Sequence, residues 1–335
     1  MIKEASLDQW KLLYEVAIRL KNIKPWNTMW DLDLTKISLP EYEEPFFCSV
    51  MGKSGECIAI GTYAGFDAIN GFFYIIENQQ ISPTQYIRYQ NNLMCYFGSR
   101  DELSNKDLKV IKDLGLKFRG KNEWIYFRTY ETGYAPYILA EIQVVQLTSV
   151  LEQLYMSLKY LLEGKTTVDF EDGNLLCRKY DTELKLWQTY ESPIVIPPRV
   201  RMIPVINDEM LLVKLNKLNA TNNEIELDTL YLNNIINDKN FERPFLGNLL
   251  IIAEHKSGLL INQTMLSPKD EITENIFEIF INYLMQYGKP KTVYIRDVYI
   301  EDYLTDLCGR IGVLLKVKGK LKSIDAFEKS YLRRF

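Results

Sequence analysis

Residues 249–266 read LLIIAEHKSGLLINQTML, and the pattern of this segment sets the prediction of the fold. Two apolar runs, 249–254 and 259–266, flank the polar turn at 255–258, which ends in a glycine. Short apolar runs on either side of a glycine-containing turn are typical of a β-hairpin. The sequence therefore predicts two antiparallel strands in this part of the chain.

Helix and strand patterns alternate after this hairpin. Apolar residues first recur at helical spacing, and Gly288 and Pro290 follow as a helix-ending pair. Short apolar runs and a second helical pattern come next. The predicted order is a helix, a strand, a helix and a strand, at residues 272–287, 292–296, 303–311 and 313–317.

This order of elements resembles the ribonuclease H-like fold. The resemblance implies an α/β (α+β) class with a mixed sheet. In metal-dependent members it also implies several carboxylates that converge on paired divalent ions about 4 Å apart. Such acids are expected near the first strand, the first helix, the next strand and the final helix. At those positions the chain has Glu254, Glu274 or Glu278, Asp297, and Asp325 or Glu328.

Three acids are therefore candidate catalytic residues, namely Glu254, Asp297 and Asp325, and Glu254 and Asp297 are the candidate metal ligands. Two features argue against a metal-dependent enzyme. Glu254 lies at the end of the hairpin strand and not within it, and Asp297 is followed by acids in the pattern of a helix N-cap and its first turn. We favour this capping role for Asp297, and for Asp101 in the first half, over metal binding.

Several short sequence motifs occur in both halves of the chain. The second half repeats Pro-Phe, Lys-Ser-Gly and Arg-Asp in the order of the first, and such repeats are worth testing before other motifs. Matches this short also arise by chance, so duplication and coincidence both stay open. The pairs are Pro45-Phe46 with Pro244-Phe245, Lys53-Ser54-Gly55 with Lys256-Ser257-Gly258, and Arg100-Asp101 with Arg296-Asp297.

A long helical pattern separates the halves. Apolar positions keep helical spacing from residue 141 to 163, and Gly164 stands where the glycine after a helix belongs. We predict two similar ribonuclease H-like halves with mixed sheets, joined by this helix. The predicted domains are an N-terminal α/β domain at 1–140, a connecting helix at 141–164 and a C-terminal ribonuclease H-like domain at 165–335.

The chain as a whole also resembles a bacterial two-module family of unknown function. The residues that carry this resemblance are 45–71 for the first module, and 243–245, 249–258 and 293–297 for the second. The resemblance implies a division into two modules, the second similar to a degenerate ribonuclease H-like fold, and it implies no activity.

Composition narrows the possible chemistry. The 335 residues are 47% hydrophobic and 25% charged, with a net charge of −4, which is typical of a soluble globular protein. No apolar run is long enough to span a bilayer, and the five cysteines lack the spacing of a zinc site. Because His255 is the single histidine, Ser-His-Asp and Cys-His catalysis are disfavoured, and we expect a solvated turn residue there. We expect a cytoplasmic protein without a cofactor.

Positive charge is concentrated at the C-terminal end. Residues 310–335 contain eight Lys and Arg against two acids, which gives a net charge of +6. This segment could contact nucleic acid or an acidic protein partner. Lysines along a strand edge also prevent edge-to-edge aggregation, an interpretation that we weight more heavily. The candidate contact residues are Lys316, Lys318, Lys320, Lys322, Arg333 and Arg334.

The sequence thus favours a non-catalytic binding or interaction module. The alternative is a divalent-metal-dependent nuclease that uses carboxylates of the C-terminal half, with Mg²⁺ or Mn²⁺ as its cofactor. A purely structural partner subunit is a third interpretation. The sequence leaves the oligomeric state open.

Overall fold

The computed structural model describes residues 3–78 and 81–332, and these residues form two compact units. The N-terminal unit contains the chain up to residue 81 together with 89–199 and 239–243, and the C-terminal unit contains the remainder. The short segment Ser82–Arg88 therefore belongs to the C-terminal unit although it lies in the first half of the sequence. Each unit has a mixed sheet with helices, which confirms the predicted α/β class.

The helices and strands of the two units have the following bounds. The first part of the chain contains α1 (Leu7–Ile23), β1 (Thr35–Ser38), β2 (Phe46–Met51), β3 (Ala59–Ala64), α2 (Gly65–Glu77), α3 (Pro83–Tyr89), β4 (Asn92–Gly98), α4 (Asn105–Asp113), β5 (Trp124–Tyr130), α5 (Glu141–Leu162), β6 (Asn174–Asp181) and β7 (Leu186–Pro193). The second part contains α6 (Glu209–Asn216), β8 (Glu224–Ile236), β9 (Phe245–Glu254), β10 (Leu260–Leu266), α7 (Ile272–Tyr287), β11 (Thr292–Ile295), α8 (Val298–Ile311), β12 (Leu314–Val317) and α9 (Lys322–Leu332).

The sheet of the N-terminal unit has the strand order β5-β4-β3-β2-β1-β6-β7 within the described residues. Its strands pair antiparallel except for β1 and β6, which are parallel. Helices α1 and α5 cover one face, where Leu13 and Leu151 are fully buried in the larger core. Helix α2 contributes to a smaller core on the other side, with Phe47 and Ile69.

The long helix α5 is part of the N-terminal unit and does not join two domains. It packs against α1, and the strands after it, β6 and β7, extend the same sheet through the pairing of β6 with β1. The division of the chain predicted at residues 141–164 is therefore corrected to one after Arg199. The helix itself is confirmed at Glu141–Leu162, but an amphipathic pattern cannot reveal which sheet the helix covers.

The sheet of the C-terminal unit has the order β10-β9-β8-β11-β12 within the described residues. Strands β8, β9 and β10 form an antiparallel meander, whereas β11 pairs parallel with both β8 and β12. Helices follow the third, fourth and fifth strands. This is the strand order and direction of the ribonuclease H-like fold, and the hairpin predicted at residues 249–266 supplies its second and third strands.

The two sheets differ in strand order. In the N-terminal unit β4 adds antiparallel beside β3, whereas the corresponding strand of the predicted repeat, β11, adds parallel beside β8. The hairpins β2-β3 and β9-β10 correspond, but the next strands lie on opposite sides of them. Strand β4 lies beside the second strand of its hairpin, β3, whereas β11 lies on the side of the first strand, β9, with β8 between them. The recurring dipeptides therefore mark similar local turns and not a shared topology of the two sheets.

Strand β8 presents a different character on each of its faces. Ile225 and Leu227 belong to the core formed with α7 and α8, and the residues between and after them, Glu226 and Asp228, point to the opposite face because side chains alternate along a strand. That opposite face is covered by α9 through Ile324 and its neighbours. Two carboxylates are thereby placed between the sheet and the last helix.

Candidate functional site: a buried acidic edge

Strand β8 places two acids at the centre of the candidate site. Glu226 and Asp228 are both fully buried. The register of β8 with β11 pairs Glu226 with Tyr294, so Asp228, two residues further, lies level with Arg296 at the end of β11. No strand was predicted from the sequence at residues 224–236, and both acids were missed.

Asp228 is held by two arginines. Its Oδ2 lies 2.7 Å from Nε of Arg296, and its Oδ1 lies 3.4 Å from Nη1 of Arg88. Arg88 also donates to the carbonyl and hydroxyl oxygens of Thr229. Because both carboxylate oxygens face guanidinium groups, the negative charge of Asp228 is compensated inside the unit.

Asp297 has two roles in the structure. Its Oδ1 accepts a hydrogen bond from the backbone N–H of Tyr299 at 2.8 Å, which is the N-cap that the sequence favoured. Its Oδ2 lies 2.8 Å from Nη1 of Arg88. Asp297 is therefore both a helix cap and an ion-pair partner of the same arginine that faces Asp228.

The last helix contributes two further acids. Asp325 Oδ1 accepts from Nη1 of Arg296 at 2.7 Å, and its Oδ2 accepts from the backbone N–H of Leu321 at 3.2 Å. Glu328 accepts a hydrogen bond from the hydroxyl of Thr84. We call Asp228, Asp297, Asp325 and Glu328 the acidic edge.

The charges at the acidic edge are compensated in large part by the two arginines. The side chains of Arg88 and Arg296 are 5% and 10% exposed. Burial lowers the pKa of Arg296, but Asp228 and Asp325 outweigh that effect and raise the pKa above its ordinary value. Among the residues that the structure describes, no group of three or more His, Cys, Asp or Glu side chains is arranged to hold a metal ion.

Glu254, the third candidate acid predicted from the sequence, does not belong to the acidic edge. Its carboxylate accepts hydrogen bonds from the backbone N–H groups of Lys256, at 3.0 Å, and Ser257, within the hairpin turn. Hydrogen bonds from Ser257 hold the pKa of Glu254 below its ordinary value. Glu254 pairs with Ile225, three residues from Asp228 and thus roughly 10 Å away along the strand. We correct its predicted role to that of a turn residue.

Three other acids considered from the sequence also lie elsewhere. Glu274 and Glu278 are exposed on α7, which packs on the opposite face of the sheet from Asp228. Asp101 lies in a 3₁₀ turn at Arg100–Glu102 whose N-cap is Ser99, so the capping role predicted for Asp101 is wrong. The turn is closed by the backbone N–H of Glu102, which donates to the carbonyl of Ser99 at 3.2 Å, and by the Glu102 carboxylate, which accepts from the backbone N–H of Ser99.

His255 is tied to the same face of the sheet and is not simply solvated. Its Nδ1 is hydrogen-bonded to Glu226, and its ring packs on Tyr294 with centroids 4.4 Å apart. The second carboxylate oxygen of Glu226 accepts from the backbone N–H groups of Ser323 and Ile324, at 2.9 and 3.0 Å. Glu226 therefore anchors the first turn of α9 to the sheet, where the helix dipole favours a negative charge.

The basic segment lies on and after the last strand of this sheet. Lys316, Lys320 and Lys322 are exposed, and Lys318 Nζ lies 3.5 Å from the centroid of the Tyr294 ring. Strand β12 ends the sheet order and pairs with β11 alone among the described strands. Arg333 and Arg334 lie outside the described residues.

No helix in the described part of the chain is both long enough and apolar enough to cross a membrane.

The strand order of the C-terminal sheet and the position of its acids define a ribonuclease H-like unit. Solved structures with some similarity include the HTLV-2 integrase catalytic core domain in complex with magnesium, in its dimeric form, at 12% identity and a TM-score of 0.24 over 34% of this chain and 71% of that chain. The simian T-cell lymphotropic virus intasome in complex with PP2A regulatory subunit B56 gamma matches at 14% identity and a TM-score of 0.25, over 36% of this chain.

The present chain spans 43% of the length of the intasome chain that it matches. At these TM-scores the likeness carries no weight, and the fold assignment rests on the strand order. A search of the curated proteins finds no match.

Family models identify the chain more specifically. The model for the domain of unknown function DUF7309 matches residues 10–178, which is just over half of the chain, and that for the domain of unknown function DUF6930 matches residues 211–332. The protein belongs to the DUF7309 family and carries a second module similar to DUF6930. The two matches fall on the N-terminal and C-terminal units.

Proposed function

We infer that the C-terminal unit is a ribonuclease H-like interaction module that does not cleave nucleic acid. The observation that carries this inference is the pairing of Asp228 with both Arg88 and Arg296. In a metal-dependent enzyme of this topology two divalent cations are needed between the carboxylates. Here Asp228, Asp297 and Asp325 form ion pairs with the guanidinium groups of Arg88 and Arg296.

The energetics of a buried ion pair support this assignment. Removing a buried guanidinium would leave an uncompensated carboxylate at a cost of roughly 3–5 kcal/mol. A divalent cation would have to displace arginines that are fixed by several hydrogen bonds. The acidic edge is therefore a structural charge network that holds β8, β11 and α9 together.

The contact surface that we assign to the module is its basic edge, formed by Lys316, Lys320 and Lys322. These side chains are exposed beside the apolar residues Leu314 and Val317, which are 48% and 46% exposed on β12. Interspersed lysines and exposed apolar groups suit an acidic partner, either a protein or a nucleic acid. The basic edge is thus separate from the acidic edge.

A nuclease screen tests this function most simply. The wild-type chain and the variant Asp297→Asn are incubated with single- and double-stranded DNA and RNA in the presence of Mg²⁺ or Mn²⁺. We expect the two proteins to give the same background. Metal-dependent cleavage by the wild type that Asp297→Asn abolishes would contradict the proposal and support the nuclease alternative.

A further inference from the structure

The segment Ser82–Arg88, which we call the strap, completes a unit whose remaining sequence begins more than 100 residues later. Its residues Thr84, Gln85 and Arg88 are all buried, with 3%, 4% and 8% of the whole residue exposed. Residues three and four positions apart on a helix lie on the same side, so α3 presents the three as a single face. The strap is thus a short, discontinuous piece with one buried polar face.

Each member of this face meets the acidic edge or its immediate neighbours. The hydroxyl of Thr84 donates a hydrogen bond to Glu328. The side-chain amide of Gln85 lies beside Asp228 and Arg296. With the amide oxygen oriented toward Arg296, that oxygen accepts a hydrogen bond from Nε of Arg296 at 2.8 Å. The Arg88 fork reaches Asp228 and Asp297 as described above. The strap therefore contacts β8, the start of α8 and α9 through these side chains.

The charge balance shows how much the site depends on this occupant. Without the strap, Asp228 loses the guanidinium of Arg88 and keeps that of Arg296, which it shares with Asp325. Buried carboxylates need a cation or a hydrogen-bond donor in place of water. A planar group that donates to two carboxylates and a carbonyl at once suits arginine and not lysine, whose ammonium is a compact point charge.

We propose that the acidic edge is a receptor for an arginine-bearing helical segment, and that the strap is its built-in occupant. A protein partner that presents a Thr-Gln-x-x-Arg face would bind there only after the strap leaves. The contact is then autoinhibitory. This proposal rests on the function proposed above in one respect, the absence of a metal site at the acidic edge, and it adds a second contact site to the basic edge.

The test uses the full-length chain with its own strap face removed. The variant Thr84→Ala/Gln85→Ala/Arg88→Ala is titrated into a fluorescently labelled peptide with the sequence of residues 81–90, and binding is followed by fluorescence polarisation. We expect the peptide to bind this triple variant at least tenfold more tightly than the wild type, whose receptor is filled. A peptide with Arg88→Lys should lose most of that affinity, and so should the triple variant that also carries Asp228→Asn.

Three results would overturn the receptor. One is equal binding of the peptide to the wild type and the triple variant. Another is the absence of binding to a triple variant whose circular dichroism matches that of the wild type. The third is binding of Mn²⁺ by the triple variant without binding of the peptide. If the triple variant fails to fold, Arg88→Ala alone replaces it, and the peptide should then raise its Tm.

The two proposals fail in different ways. If the triple variant cleaves nucleic acid with Mg²⁺, the interaction-module function is wrong whatever the peptide does. If no variant cleaves but the peptide does not bind, the module stands and the strap is an inseparable part of its core.

Discussion

Among single residues, Arg296 is the cation of the acidic edge that links strand β11 to helix α9. Arg296 directly follows β11, and its guanidinium pairs with Asp228 on β8 and with Asp325 on α9. Arg296→Ala should lower the free energy of unfolding by roughly 3–5 kcal/mol, because two buried or half-buried carboxylates lose their partner. Urea denaturation measures the change.

Arg310 offers the matched control for this prediction. It pairs with Asp306 one helical turn away on the exposed side of α8, where an ion pair contributes at most about 1 kcal/mol. Arg310→Ala should therefore change the free energy of unfolding far less than Arg296→Ala.

Adding Asp228→Asn to Arg296→Ala should recover part of the loss in the free energy of unfolding, since it removes one uncompensated charge. Equal losses for both single variants would contradict the prediction.

The cysteines give a second prediction for single residues. Cys57 is exposed, whereas Cys48, Cys95, Cys177 and Cys308 are buried. Burial raises the pKa of Cys48 and Cys308 to about 12, and burial together with Glu102 raises the pKa of Cys57. One thiol of the native protein should therefore react with a disulfide reagent such as DTNB, at a rate that still rises as the pH increases through the ordinary pKa of a thiol.

The variant Cys57→Ser should abolish that reaction, and all remaining thiols should react once the protein is unfolded in guanidinium chloride. Rapid reaction of a second thiol in the native state would show that one of the four buried cysteines is more accessible than the structure indicates.

Among the helices and strands, α9 depends on a carboxylate that lies on the strand below it. Glu226 accepts two backbone N–H groups from the first turn of α9 and pairs with His255. Glu226→Ala should release this end of the helix and speed amide hydrogen exchange over residues 323–328. Exchange in α7 should stay unchanged, because α7 packs on the other face of the sheet.

The control variant is Glu274→Ala, which removes an exposed acid from α7 and should leave exchange in α9 as in the wild type. If Glu226→Ala left α9 as protected as before, the helix would be held by its apolar contacts, such as Ile324, and not by the carboxylate.

Local signals predicted many of the elements well. The hairpin predicted at residues 249–266 appears as β9 and β10, and the helix predicted at residues 272–287 appears as α7. Strand β8 was missed because its inward acids, Glu226 and Asp228, break the rule that charged residues lie outside. Its alternation of Ile225 and Leu227 with these acids was the available signal.

The acidic edge itself could be predicted only in part. Asp297 was a candidate because it follows a predicted strand, and Asp325 because the resemblance to the ribonuclease H-like fold implies an acid on the final helix. Arg88 could not be found, because its partners Asp228 and Asp297 are 140 or more residues away along the chain and no local pattern links them. Contacts of this range depend on the tertiary fold, which periodicity and capping rules do not specify.

For the whole molecule, the strap makes the C-terminal unit depend on the first part of the sequence. The segment between β7 and α6 contains strongly exposed residues, with Val200 at 81% and Met202 at 74%, and arginines that trypsin recognises. Brief trypsin treatment should cut near Arg199 or Arg201. The two products should still co-elute in size-exclusion chromatography, because the strap stays in the acidic edge.

The triple variant of the strap provides the comparison for the nicked protein. Its two fragments should co-elute less completely than those of the wild type. Identical co-elution of the fragments in both proteins would show that the strap contributes little to the association.

Arg88 and Arg296 lie against the carboxylates of the acidic edge, and a metal titration tests our proposal that these arginines, and not divalent cations, balance its charge. The wild-type chain is titrated with Mn²⁺, and the unbound ion is followed by electron paramagnetic resonance. We predict no site of defined stoichiometry below millimolar Mn²⁺, and the same curve for Asp228→Asn. One or two Mn²⁺ ions bound per chain in the micromolar range, lost in Asp228→Asn, would contradict this assignment of the site.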